Sequence, residues 1–280
     1  MKKVLQATFM LIKWLFLIFI VAFSIYPVFY ALSGSLMTNQ ELQSGGLLFP
    51  SKAMFSNYAV AFYKAKFAIY TVNSVYLCIA VTAGALLTSS MTGYCIARYR
   101  FPGSKILLTF FYIMMFVAMG PVVLMPQYEL MKSLGLTDSL WGLILVMIGG
   151  QASNIVLTSG YIKGVPKELD ESALIDGCGK FRIYWNIVLP LIKPVLGVVG
   201  LFTFRNTWND YITPLIFTMS RRELQPITVA VVALKNMGNA AAEWNIMVAG
   251  AAISIIPVLI AYLFTNKQFI AGLTAGAVKG

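Results

Sequence analysis

The sequence has no histidine, three cysteines and few charges: Asp, Glu, Lys and Arg make up 11% of its 280 residues. Cys78, Cys95 and Cys178 form no C-x-x-C pair, and no histidine is present to complete a zinc site. No metal is therefore expected, and each cysteine reads as a structural thiol. A G-x-x-x-x-G-K-[ST] loop is also missing, so if ATP is used, a partner must bind it. Soluble domains carry about 25% charged residues. The deficit puts nearly all of this chain in lipid, or in protein that lipid surrounds. Its length suits one membrane domain, 1–280, without an added soluble catalytic domain.

What is abundant is apolar: 59% of the residues are hydrophobic. A spanning helix needs about 20 mostly apolar residues. Six stretches qualify: Trp14–Leu32, Thr71–Tyr94, Ile106–Tyr128, Leu140–Tyr161, Pro194–Phe217 and Met247–Thr265. The first follows Lys2 and Lys3, is longer than a signal-peptide core and lacks a small-x-small cleavage site, so it reads as a retained helix. The net charge of +11 comes from basic residues beside these spans. Topology and anionic headgroups explain it better than nucleic acid does. With the N-terminus inside, thirteen Lys and Arg face the cytoplasm and seven the outside, while Arg205 lies within a span. That bias puts both termini in the cytoplasm, which an even number of spans also requires. The expected fold is all-α with six transmembrane helices.

Two loops are long. Residues 33–70 lie outside, with turn residues at Gly45, Gly46 and Pro50. Residues 162–193 lie inside and are the most charged segment of the chain. In this inner loop Pro166 suits the first position of a short helix, and Glu168, Asp170 and Glu171 complement its dipole. Gly177 sits where a left-handed residue would end it. A second amphipathic helix, Phe181–Leu189, is expected to stop at Pro190. By spacing alone this is a built docking element, a solvated loop or an interfacial helix lying on headgroups.

The residue types decide between these. Glu171-Ser172-Ala173, three residues, Gly177, nine residues, then Ile187-x-Leu189-Pro190 resembles the EAA loop of bacterial ATP-driven importer permeases. Ser172 replaces the middle alanine, a small-for-small change. Further segments resemble the carbohydrate branch, in particular the MalG-like subunit. They are Asn73-Ser74, Tyr94-x-x-Ala97-Arg98-x-x-Phe101-Pro102-Gly103, Trp208-Asn209-Asp210 with Pro214-Leu215, and the tail from Gly272 to Gly280. The likeness runs from about Tyr26 to the last residue.

This resemblance implies a type I importer permease fold and a role for the loop at 162–193 as the element that docks on a cytoplasmic ATPase. Its coupling residues would be Glu171, Ser172, Ala173, Asp176, Gly177, Ile187, Leu189 and Pro190. The tail, 267–280, would reach between the ATPases, with Gly272, Gly276, Lys279 and Gly280 in contact. The implied partners are a second homologous permease, two ATPase subunits and an external solute-binding protein. No cofactor would bind this chain; ATP and Mg²⁺ would sit on the ATPases.

One stripe within the spans is polar. At 100° per residue Thr203, Asn206, Asp210 and Thr213 share a face of the fifth helix. Asn209 and Tyr211 adjoin it. Such a stripe serves either a water-filled substrate path or hydrogen bonds between helices. Pro121 and Pro126 could kink the third helix towards a cavity or only for packing. The expected function is ATP-driven import of a sugar or oligosaccharide across the bacterial inner membrane, without covalent chemistry in this subunit. A polyol, a glycerol phosphate or another solute is the alternative. An intramembrane enzyme would need a catalytic constellation that the spans lack. A self-contained carrier would not need the EAA-like loop.

Overall fold

The computed structural model describes residues 2–45, 48–63, 66–117, 120–137, 139–234 and 243–277, with the backbone alone at 2–5, 7, 234, 261 and 264–277. Among the described residues there are helices and turns and no strand. In chain order the helices begin with α1 (Lys2–Gly34), α2 (Asn39–Ser44), α3 (Ser56–Tyr63), α4 (Phe67–Arg98) and α5 (Ser104–Phe116). A 3-10 turn at Gly120–Val123 leads into α6 (Leu124–Ser133), α7 (Leu140–Gly149), α8 (Ala152–Lys163) and α9 (Glu168–Ile175). Then come α10 (Lys180–Ile183), a π turn at Tyr184–Val188, α11 (Leu189–Leu191) and α12 (Lys193–Asn209). The series ends with α13 (Ile212–Phe217), α14 (Ile227–Leu234) and α15 (Trp244–Ala277).

Each of the six expected spans overlaps a helical segment, but only α1 and α4 contain an unbroken stretch long and apolar enough to cross a bilayer among the described residues. The fourth expected span is a pair, α7 and α8, bent by 48°. The third is interrupted after Phe116, with Pro121 in the 3-10 turn and Pro126 in the first turn of α6. The fifth breaks at Asp210, where the backbone turns extended. Pro214 explains how that break is held. It has no N–H to return to the Asp210 carbonyl, and the Thr228 hydroxyl donates to that oxygen instead, at 3.1 Å.

The chain forms two compact units. Residues 1–68 with 230–255 make the first. There Asn57 is buried with every polar group used: its amide donates to Ser35 O and Met37 O, each at 2.9 Å, and its oxygen accepts from Asn245. A capping box of Thr38 and Glu41 starts α2. Backbone hydrogen bonds and the Ser51 side chain hold the Glu41 carboxyl down at about 2.

The second unit comprises 69–229 and 256–280. It has two apolar clusters. One gathers Leu77 and Val81 of α4 with Met131, Leu140, Leu143, Ile144 and Phe217. The other gathers Tyr94, Ile162, Ala173, Ile183, Tyr184, Val188, Ile192 and Val195. Within α4 the hydroxyls of Thr88, Ser89 and Ser90 return to carbonyls four residues back. This keeps them satisfied in an apolar setting.

Candidate functional site

Two places in the second unit carry the residues singled out in the sequence. The first is the loop 162–193. Its leading helix is α9, which begins at Glu168 rather than at Pro166. Three acidic residues, Glu168, Asp170 and Glu171, occupy its first turn, as dipole complementarity demands. Gly177 ends it with φ +79°. Gly177 N–H donates to Leu174 O and Cys178 N–H to Ala173 O, a Schellman motif that uses two of the terminal carbonyls. A Cβ at Gly177 would meet open space. Backbone conformation, not crowding within this chain, is what calls for glycine there.

The second helix of the loop differs from expectation. It does not stop at Pro190 but runs on to Leu191 through a π turn, in which Leu189 N–H reaches back to Tyr184 O. The wider turn accommodates the proline, whose N–H is missing. Ile187 and Leu189 are half-buried against the Tyr94–Ile162–Ala173 cluster. At Ile192 the chain then bends by 79° into α12.

Burial sorts the EAA-like residues. Ala173 is 6% exposed and packs inside this chain, so its smallness serves an internal contact. Glu171, Ser172, Asp176 and Gly177 are exposed, and Pro190 is too. Leu174 and Ile175 join them, Ile175 at 87% exposure. They leave an apolar pair bare beside the acidic residues of this short helix. Sequence reading passed over these two, although both follow Ala173 directly and must turn away from the face it buries.

The second place is a cavity of about 340 Å³. Thr203, Asn206, Asp210 and Thr213 all line it, together with Gln127 of α6 and Gln151, Ser153 and Asn154 at the bend between α7 and α8. Asn154 donates to Thr203 Oγ1 at 3.0 Å and to Gln151 Oε1. Asp210 Oδ1 accepts from Thr213 N–H at 3.3 Å, which caps the start of α13. Asn209 is exposed and Tyr211 half-buried, and neither lines the cavity. Among the described residues the lining contains one carboxylate, no lysine and no arginine. Gln151 and Asn154 were not singled out in the sequence. A polar pair after Gly149-Gly150, in the middle of an apolar stretch, was the available signal.

Of the tail, Gly272 and Gly276 lie within α15, while Lys279 and Gly280 are outside the described residues. The three cysteines are free thiols.

Residues 85–269 match the family of binding-protein-dependent transport system inner membrane components. The chain belongs to this family. The permease is 34% identical over 261 residues to the arabinooligosaccharides transport system permease protein AraQ of Bacillus subtilis, covering 91% of each chain. It is 33% identical to the galactooligosaccharides transport system permease protein GanQ of the same organism, covering 99% of this chain and 98% of that one. The maltodextrin transport system permease protein MalD of Streptococcus pneumoniae is 33% identical over 229 residues, 81% of this chain and 80% of its own. A crystal structure of a bacterial ABC transporter involved in import of the acidic polysaccharide alginate shares the fold. Its TM-score is 0.82 at 23% identity, with 94% of this chain and 97% of that one covered. The permease is thus a non-catalytic membrane subunit of an ABC importer, resident in the inner membrane.

Proposed function

We propose that the permease carries a sugar or oligosaccharide across the inner membrane by alternating access. The observation that carries this reading is near-full-length likeness to permeases named for arabino- and galactooligosaccharides. The polar cavity supports it. Amides and hydroxyls at Gln127, Gln151, Asn154, Thr203, Asn206 and Thr213 can match sugar hydroxyls as donors and acceptors. Its volume falls in the range of about 300–1,000 Å³ usual for ligand pockets. A glycerol phosphate would call for basic groups, and the lining offers none among the described residues.

The six helical segments form six spans, with both termini and the loop 162–193 in the cytoplasm. The exposed face of α9, from Glu171 to Gly177, docks on an ATPase. Two such ATPases hold ATP and Mg²⁺, a second homologous permease completes the channel, and an external binding protein delivers the sugar. The tail residues Gly272, Gly276, Lys279 and Gly280 meet the ATPases as well. Driving nearly complete closure in each direction takes about 5.5 kcal/mol of differential binding, which nucleotide and loaded binding protein supply together.

Purified complex in proteoliposomes tests this. ATP-dependent uptake of an arabino-, galacto- or malto-oligosaccharide is expected. Asn206→Leu should abolish uptake while leaving the ATPase bound, and Gly177→Trp should leave the protein inserted but stop transport. Uptake of glycerol 3-phosphate and of no sugar would overturn the substrate; wild-type transport by Gly177→Trp would overturn the docking role.

A further inference from the structure

Arg98 ends α4, and Asp170 lies in the first turn of α9. Their side chains meet at 2.8 Å between Nε and Oδ2, with only 3% and 14% of each exposed. Arg98 Nη2 also donates to Val165 O at 3.1 Å, just ahead of α9. The pair is close but incompletely bonded. The Nε–H does not align on the carboxylate, and Arg98 Nε, Arg98 Nη1 and Asp170 Oδ1 have no hydrogen-bond partner among the described residues. A buried ion pair in this condition adds little stability over apolar packing of the same shape. What it does impose is position: separating the two leaves a largely buried guanidinium without its counter-ion.

A second joint lies beside it. Tyr184 stacks obliquely on Tyr94 at 5.3 Å and shares a hydrogen bond with Ser90 at 2.8 Å, both from α4. Tyr94 and Tyr99 bond through their hydroxyls at 3.0 Å, and the Lys180 ammonium sits 4.9 Å from the Tyr99 ring. The last turns of α4 are therefore held to both halves of the loop, while the far side of α9 stays exposed.

Resting on the coupling role proposed above, we infer that Arg98 and Asp170 are the positioning pair by which α9 moves the end of α4. When the ATPases draw on the exposed face of α9, slippage between α9 and α4 would part the ion pair and leave the buried Arg98 charge unmatched. The end of α4 travels with α9 instead. Arg98 thus serves as a joint, beyond the anchoring role its charge and location suggest.

The test uses the whole importer in proteoliposomes, supplied with the arabino-, galacto- or malto-oligosaccharide that wild type takes up. Sugar moved per ATP hydrolysed is measured for wild type, Asp170→Asn, Asp170→Glu and the double variant Arg98→Gln with Asp170→Asn. Asp170→Asn should still bind and fire the ATPase, while its transport ratio falls about tenfold, because the charge that fixes Arg98 is gone. Asp170→Glu should recover most of that ratio. The double variant should regain the wild-type thermal midpoint without regaining the ratio, which also covers an Asp170→Asn that folds poorly. An unchanged ratio in Asp170→Asn, or a double variant that recovers midpoint and ratio together, would overturn the pair's role and leave only packing. A wild type that brings down no ATPase would overturn the coupling reading itself, and the pair's role with it.

Discussion

The two ends of α4 are fastened by different chemistry. Near its start, Asn73 donates to Glu223 O at 2.7 Å and Gln225 O at 3.2 Å, and Ser74 Oγ accepts from Ile227 N–H at 2.8 Å. These three bonds are neutral, and each joins a side chain of α4 to main chain. The segment 223–227 is held whatever side chains it carries, each bond adding about 0.5–1.5 kcal/mol. At the other end a guanidinium meets a carboxylate, and neither is fully bonded. Such a joint depends on both side chains, and removing one is costly. Neutral bonds to backbone suit a fixed attachment. A charged pair suits one that must resist parting under load.

The contrast breaks most severely at Asp170. Asp170→Leu leaves the Arg98 charge buried without a counter-ion, and a loss of about 3–5 kcal/mol is expected in the thermal unfolding of the detergent-solubilised protein. Arg98→Met should cost less. The carboxylate left behind is the more exposed partner, and a carboxylate can shed its charge by binding a proton where a guanidinium cannot. An equal or reversed order would show that the stranded arginine is not what the pair guards against.

Gly93 offers a subtler way in. It lies five residues before Arg98, and a Cβ there would sit 3.0 Å from Ser159 N and 3.2 Å from Thr158 Cβ. The backbone of α4 rests on α8 at this point, as small residues allow in membrane helices. Gly93→Val should cost about 1–3 kcal/mol by overpacking and should loosen the Arg98 end first. Faster amide exchange at 168–177, with 222–229 unchanged, is the expected signature. The mirror-image variant is Ser74→Ala. It leaves the buried Ile227 N–H unpaired, at about 1–2 kcal/mol, and exchange should quicken at 222–229 alone. If either variant loosens both regions together, the ends are not independent attachments.

Much of this was legible in the sequence, and the gaps have physical causes. Long apolar runs pointed to α1, α4 and α15, and the single internal prolines, Pro27 and Pro257, do not end their helices. The left-handed turn at Gly177 and the stripe of Thr203, Asn206, Asp210 and Thr213 followed from local geometry. The other wall of the cavity did not. Gln127, Gln151 and Asn154 come from different helices, and only packing sets them opposite the stripe. Pro190 was expected to end its helix, since a proline removes one backbone bond; the π turn absorbs that loss, and no local rule announces it. Arg98 and Asp170 each had a sufficient local explanation, as a positive-inside anchor and as a helix-start acid. That is why their pairing stayed hidden. Asn73 and Ser74 stood out in a family-like motif, but their partners lie about 150 residues on.

The smallest effect is expected where the neutral end borders a charge. The Glu223 carboxyl is held below its ordinary value of 4.5, first by its own backbone N–H and then by Arg221, whose Nε lies 2.7 Å away. A depressed carboxyl stabilises the fold above its ordinary pKa and loses that contribution as pH falls below it. Acidification from pH 7 to well below 4.5 should therefore release the Arg221–Glu223 pair. The Asn73 bond, however, goes to the Glu223 main-chain oxygen, which acid does not touch. Both partners of the ion pair are well exposed, where such pairs contribute little. The protection of the amides at 222–227, corrected for the intrinsic pH dependence of exchange, should thus change by less than about twofold across that pH range, and Glu223→Gln should behave like wild type at pH 7. If acid or Glu223→Gln instead frees this segment as fully as Ser74→Ala does, the carboxylate is a true support of that end. The division between a neutral attachment and a charged joint would then fail at the end where it looked cleanest.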